Sequence, residues 1–176
     1  SGTTTIAGVS DSYENLSEGA FTSIASKVGN IFVTDYTLSV ADASTIEGYG
    51  NFGITTFFGI HDTSAALAGM GSTLANHATY LSAYTNATIA QMEVILSYTG
   101  TLGNTTMEDT ADNLAGANAS AYVHSDIVVV STAATVAQLH AINSHGAAIT
   151  SGYSLSDTAS ALASATSVNV STRGVH

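Results

Sequence analysis

Three stretches of the sequence read almost alike: FGIHDTSAALAG at residues 58–69, TTMEDTADNLAG at 105–116 and YSLSDTASALAS at 153–164. Their shared aspartates, Asp62, Asp109 and Asp157, stand 47 and 48 residues apart. An apolar residue lies two positions before each (Ile60, Met107, Leu155), and a threonine follows each (Thr63, Thr110, Thr158). A Leu-Ala pair comes five and six positions after. A fainter copy, VSDSYENLS from Val9, places Asp11 51 residues before Asp62. A second block keeps the same phase: TIAQMEVI from Thr88 and TVAQLHAI from Thr135 are 47 residues apart, and LSVADAST from Leu38 is the matching segment of the first copy. Two blocks that agree on one offset mark an internal repeat. An Ala/Ser/Thr-rich composition alone would not hold them in phase.

Each repeat resolves into four elements. A short strand, at 58–60, 105–107 or 153–155, leads into the aspartate. The aspartate reads as the N-cap of a helix of about two turns, because its carboxylate suits the free N–H groups and positive end of a first turn. A second strand follows, at IFVT from Ile31, YLSAY from Tyr80, DIVVV from Asp126 and SVNV from Ser167. The run 127–130 is apolar at every position, the pattern of a strand buried on both faces. A second helix then starts near Thr88 or Thr135. Ile89, Met92, Ile95 and Leu96 share one of its faces, and Gly100 or Gly146 follows it, as helix ends favour. Strands joined through helices are parallel.

The expected fold is therefore α/β, a repeat (solenoid-like) stack of strand-helix-strand-helix units of about 47 residues. A compact three-layer α/β domain with internal repeats is the alternative. A single domain, 1–176, would hold about 3.5 repeats: a divergent one at 9–59, full ones at 60–106 and 107–154, and a partial one at 155–176. The partial copy stops at SVNVSTRGVH without its second helix. The array is expected either to continue into further repeats or to meet other copies of itself.

Composition removes several classes of function. Lys27 and Arg173 are the two basic residues, against 13 acidic ones, for a formal net charge of −11. Phosphate neutralisation needs clustered Lys and Arg, so nucleic acid is excluded as a partner, and an anionic membrane surface is disfavoured. No apolar run approaches the roughly 18 residues of a membrane-spanning helix. The absence of cysteine excludes disulfides, thiolate metal sites and a Cys nucleophile. Surface polarity falls to Ser and Thr, with few lysines for a protease to cut. Excess carboxylate suits surroundings that contain calcium. The reading is an extracellular protein.

The chemistry-bearing residues are sparse. Asp62, Glu108, Asp109, Asp112 and Asp157 are the calcium candidates, Glu108-Asp109 with Asp112 being the densest group, although no EF-hand loop or GGxGxD repeat is present. His140 and His145 are five apart, not at the i, i+4 spacing of a helical metal pair. No GxSxG elbow occurs and Lys27 is isolated. No pair of carboxylates assigns itself to glycoside chemistry. Tyr80, Tyr84 and Tyr98, with Phe52, Phe57 and Phe58, form either a sugar-binding strip or, the preferred reading, packing. N-x-[ST] sequons begin at Asn15, Asn86, Asn104, Asn118 and Asn169. No catalytic or cofactor-binding residue is assigned.

The segments DTASALASA, DTADNLAGA and TVAQLHAI resemble the Ala/Thr/Asp-rich β-strand repeats of large secreted bacterial surface proteins and adhesins, often exported by type I systems and RTX-like. The resemblance covers residues 54–170; the first 50 residues depart from it. It implies an acidic, cysteine-free scaffold at a bacterial cell surface, in a surface layer, filament or adhesin. The calcium-binding nonapeptides of that group are missing here. The expected function is a non-enzymatic structural module acting by self-association. A calcium- or carbohydrate-binding adhesin module and a polysaccharide-active enzyme are the alternatives.

Overall fold

A computed structural model describes residues 5–49, 58–99, 101–125, 127–149 and 152–165. The chain divides into two compact units, one made of residues 1–84 with 97–103, the other of residues 85–96 with 104–176. Both are α/β with parallel strands. The first unit contains β1 (Val9–Asp11), α1 (Tyr13–Ser17), α2 (Gly19–Thr22), β2 (Ile31–Val33), β3 (Thr37–Leu38), α3 (Val40–Glu47), β4 (Phe58–Asp62), α4 (Ser64–Gly69), α5 (Ser72–His77), β5 (Ala78–Ala83) and β6 (Thr101–Leu102). The second contains α6 (Ile89–Leu96), β7 (Met107–Asp109), α7 (Ala111–Gly116), β8 (Ile127–Val130), α8 (Val136–Ser144), β9 (Ala148–Ile149) and α9 (Ala159–Ser164). Short 3-10 turns at Ala25–Lys27 and Ala119–Tyr122 complete the described residues.

The strands form three sheets, β1-β2, β3-β4-β5-β6 and β7-β8-β9, in which spatial neighbours are sequence neighbours. One step governs every described pairing. Val9 faces Ile31 and Leu38 faces Ile60, each 22 residues on. Ile60 faces Leu81, Leu81 faces Leu102 and Met107 faces Val128, each 21 on. The bridges Ile6 to Val28, Ala87 to Met107 and Ala134 to Leu155 fall in the same range, 20 to 22. The pairing offset of 20 to 22 residues is a little under half of the 47-residue sequence repeat.

The apolar residues explain why this step is stable. Leu38, Ile60, Leu81 and Leu102 are 0–6% exposed and occupy successive positions along one ladder of the first unit. Leu67 from α4 and Ile46 from α3 are fully buried in that unit. In the second unit Met107 and Val128 adjoin on their ladder, and Met92, Ile95, Leu114, Leu139 and Ile142 bury the inward faces of α6, α7 and α8. Each fully buried side chain of this size contributes roughly 1.5–3 kcal/mol through removal of apolar surface from water. Gly29 permits a close approach: a Cβ there would stand 2.9 Å from the Ala7 carbonyl oxygen. Gly146 ends α8 in the left-handed region, φ 83°, which a residue with a Cβ adopts at a cost.

The observed elements follow the sequence reading in most places and depart from it in four. The aspartates do not cap their own helices. The cap is the next residue: Ser12, Thr63, Thr110 and Thr158 accept from the N–H three positions on, with Ser39 and Thr135 doing the same for α3 and α8. A hydroxyl one bond shorter than a carboxylate fits the cap position as well, which frees the aspartate for another task. β8 is buried on one face only, with Ile127 40% exposed and Val129 half-buried. An apolar run reports β-branched propensity as readily as two-sided burial. The two-residue strands β3, β6 and β9 carry too few residues to show a period, and the sequence reading passes over them. At 153–155 the pairing is a single bridge, at Leu155. The expected strand from Ser167, together with Phe52, Phe57, Gly100, Asp126, Asn169 and His176, lies outside the described residues.

Candidate functional site

The repeated aspartate sits where a strand gives way to a helix, and at Asp62, Asp109 and Asp157 both carboxylate oxygens are engaged. Oδ1 accepts from the N–H of the following cap residue: Ser12 to Asp11 at 2.8 Å, Thr63 to Asp62 at 2.7 Å, Thr110 to Asp109 at 2.8 Å and Thr158 to Asp157 at 2.7 Å. Oδ2 accepts from the first N–H of the helix one step earlier. Val40 donates to Asp62 at 2.9 Å, Ile89 to Asp109 at 3.0 Å and Val136 to Asp157 at 3.0 Å. Tyr13 donates in the same way to Asp35, and Ala111 to the Thr132 hydroxyl at 3.0 Å. The first N–H groups of a helix have no partner inside it. Here a side chain 20 to 22 residues ahead supplies one, and a carboxylate also meets the positive helix end. The repeated residue is a cross-link between consecutive steps.

Asp109 is the most fully engaged. Besides Thr110 and Ile89, its Oδ1 accepts from the Asn113 side chain at 2.8 Å. Burial alone would raise this carboxyl; the Asn113 amide and the Thr110 and Ile89 N–H groups outweigh it and hold it below the usual carboxylate range. Asp11 is also held low, by the Asn15 amide and then the Ser12 N–H. Near Asp109, the Tyr122 hydroxyl donates to the Leu114 carbonyl at 2.7 Å, and its ring stacks on His145 with centroids 4.4 Å apart. Burial, then the Asp109 charge, pushes the Tyr122 phenol up to about 12.

The calcium candidates separate on this geometry. In the second unit, Asp109 and Asp112 line an open cleft of about 330 Å³ with Ile89, Glu93 and Asn113. Asp112 accepts from the Gln138 side chain, and Glu108 accepts from Asn86 at 2.6 Å. Asp157 is tied to Val136 and Thr158. Asp62, in the first unit, is tied to Val40 and Thr63 and takes a weak bond from Tyr84 at 3.3 Å. Among the described residues, no group of three or more His, Asp or Glu is disposed to hold a metal ion. His140 is exposed, and His77 contacts Glu47 at 3.0 Å. Tyr84 is 59% exposed against His61, whereas Tyr98 is turned inward to donate to the Ala68 carbonyl at 3.1 Å. Tyr80 is half-buried, and no side-chain description covers Phe58. Asn15, Asn86, Asn104 and Asn118 are exposed. No helix of the described residues is long and apolar enough to cross a membrane.

Asp35 and Thr132 were not singled out by sequence, yet they perform the same task as the repeated aspartates. Their signal is a polar side chain about 21 residues beyond a helix start, a spacing visible only once the spatial step is known. No protein-family model, curated protein or solved structure matches the chain.

Proposed function

We propose that this protein is a non-enzymatic structural module of a bacterial extracellular or surface assembly, that its strand-helix units stack as an α/β solenoid, and that it acts by self-association. One observation carries this reading. The residues that the sequence repeats are engaged with backbone N–H groups of the preceding step, as at Asp62, Asp109 and Asp157. The repeat is a device for propagating structure, and such arrays serve as scaffolds. The acidic, cysteine-free composition and the resemblance to surface-protein repeats support the extracellular setting.

Light scattering coupled to size exclusion, followed by negative-stain microscopy, tests the assembly claim. The expected outcome is a mass that grows with concentration and particles with a regular repeat. A strict monomer at every concentration, with calcium and with a chelator, would remove self-association from the reading.

A further inference from the structure

The inward row of the sheet β3-β4-β5-β6 is Leu38, Ile60, Leu81 and Leu102, all buried. Side chains alternate along a strand, so the next residue of each strand stands on the opposite face. On that face His61 of β4 aligns with Ser82 of β5, and Gly103 follows Leu102 just past β6. His61 is exposed and Ser82 half-buried. Tyr84, 59% exposed, closes the His61 end, its ring 5.1 Å from the imidazole and tilted by 49°. Asp62 holds Tyr84 twice: the backbone N–H donates to the Asp62 carbonyl at 3.2 Å, and the hydroxyl to Oδ1 at 3.3 Å. At the other end Tyr80 reaches across to Gly103. A Cβ at position 103 would overlap the Tyr80 hydroxyl and stand 2.8 Å from its Cζ, so the missing side chain is what lets this phenol lie along the sheet. The Tyr80 hydroxyl makes no hydrogen bond among the described residues.

We propose that this row, from Tyr84 and His61 through Ser82 to Tyr80, binds an uncharged carbohydrate. A pyranose has an apolar C–H face and a rim of hydroxyls. Tyr84 and His61 offer ring surface to the first, and a ring with a polar tip suits such a ligand. The imidazole, the Ser82 hydroxyl and the Tyr80 hydroxyl can donate to and accept from the second. Neighbouring strands stand about 4.8 Å apart, so these three polar tips span about 10 Å, the length of a disaccharide. Charge selects the class of sugar. Neither basic residue of the chain, Lys27 or Arg173, belongs to these strands, and a net charge of −11 repels uronates, sulfates and phosphates. The row lies on the broad face of the sheet, not at its edge, so strands that lengthen the stack leave it uncovered. Stacked repeats present such faces as binding surfaces.

This inference goes beyond the scaffold reading and does not depend on self-association, which is measured as mass. Saturation-transfer-difference NMR on the full chain tests it. The probes are linear tetrasaccharides of glucose, mannose, galactose and N-acetylglucosamine, with tetragalacturonate as the charged counterpart. The expected result is transfer to at least one uncharged tetrasaccharide and none to tetragalacturonate. Tyr84→Ala is expected to weaken that binding about tenfold, the weight of one aromatic contact. Gly103→Ala displaces the Tyr80 phenol and is expected to weaken it as well. Tyr36→Ala removes a tyrosine that is 87% exposed at the opposite end of the strands, and is expected to leave binding unchanged. Circular-dichroism melts check that each variant folds; Tyr84 is exposed, so its variant decides the matter even where Gly103→Ala fails to fold. No transfer to any uncharged probe would overturn the proposal. So would equal transfer to tetragalacturonate, wild-type binding by Tyr84→Ala, or equal losses from Tyr84→Ala and Tyr36→Ala.

Discussion

At the scale of single residues, a carboxylate joins what the backbone leaves open. Removing one strands two donors at once. Asp109→Ala frees the N–H of Ile89 and Thr110, and an unsatisfied buried donor costs about 1–3 kcal/mol. Urea unfolding is expected to show a loss of that size. The same site sets an acid limit. Because the folded carboxyl of Asp109 lies below its unfolded value of about 3.9, its contribution is complete above that pH and disappears as pH falls through the folded value. Acid titration of wild type against Asp109→Asn checks this: the variant loses that part of the acid dependence. Tyr122 works in the opposite sense. Its phenol ionises near pH 12 when folded and near 10 when unfolded, so its contribution holds below about 10 and is lost as pH rises toward 12. Ultraviolet difference titration should find one tyrosine ionising about two units late, and Tyr122→Phe should remove it. The importance of Asp109 was legible from its repetition. Its linking role was not, because the Ile89 N–H that it accepts from lies 20 residues back and nothing in the local pattern names it.

Elements were easiest to read where side-chain chemistry and periodicity agree. α6 and α8 start after Thr88 and Thr135 as the hydroxyl caps require, and Met92, Ile95, Leu139 and Ile142 are buried as their spacing demands. Thr135 adds a capping box with Gln138, so Thr135→Ala is expected to cost about 1 kcal/mol, measured by chemical denaturation. Leucines at one repeat position provide a sharper test. Leu114→Ala should lose about 2–5 kcal/mol, since Leu114 is fully buried and its removal leaves a cavity. Leu162→Ala, at the same repeat position but 39% exposed, should lose a small fraction of that in dilute solution. Sequence treats these leucines as equals; their burial separates them. The same limit explains β8, whose four apolar residues say nothing about how many of its faces are covered.

For the whole molecule, the sequence period of 47 residues was visible because two unrelated blocks share it, whereas the spatial step of 20 to 22 was not, because alternate steps differ in sequence. Asp109 and Thr132 serve consecutive steps with different chemistry, which hides their equivalence. The charge of −11 with two basic residues implies net self-repulsion. Raising sodium chloride is therefore expected to raise the melting temperature, as screening shortens the reach of that repulsion. Calcium at equal ionic strength distinguishes simple screening from a specific site: a further rise, reversed by a chelator, would mark a bound ion. The short reach of strand pairing has a consequence for biogenesis. Within each of the three sheets every strand joins the one made just before it, so a chain threading out of a ribosome or an export channel finds a finished edge beside each strand that extends a sheet. Such a protein can fold at the pace at which it emerges, from either terminus first.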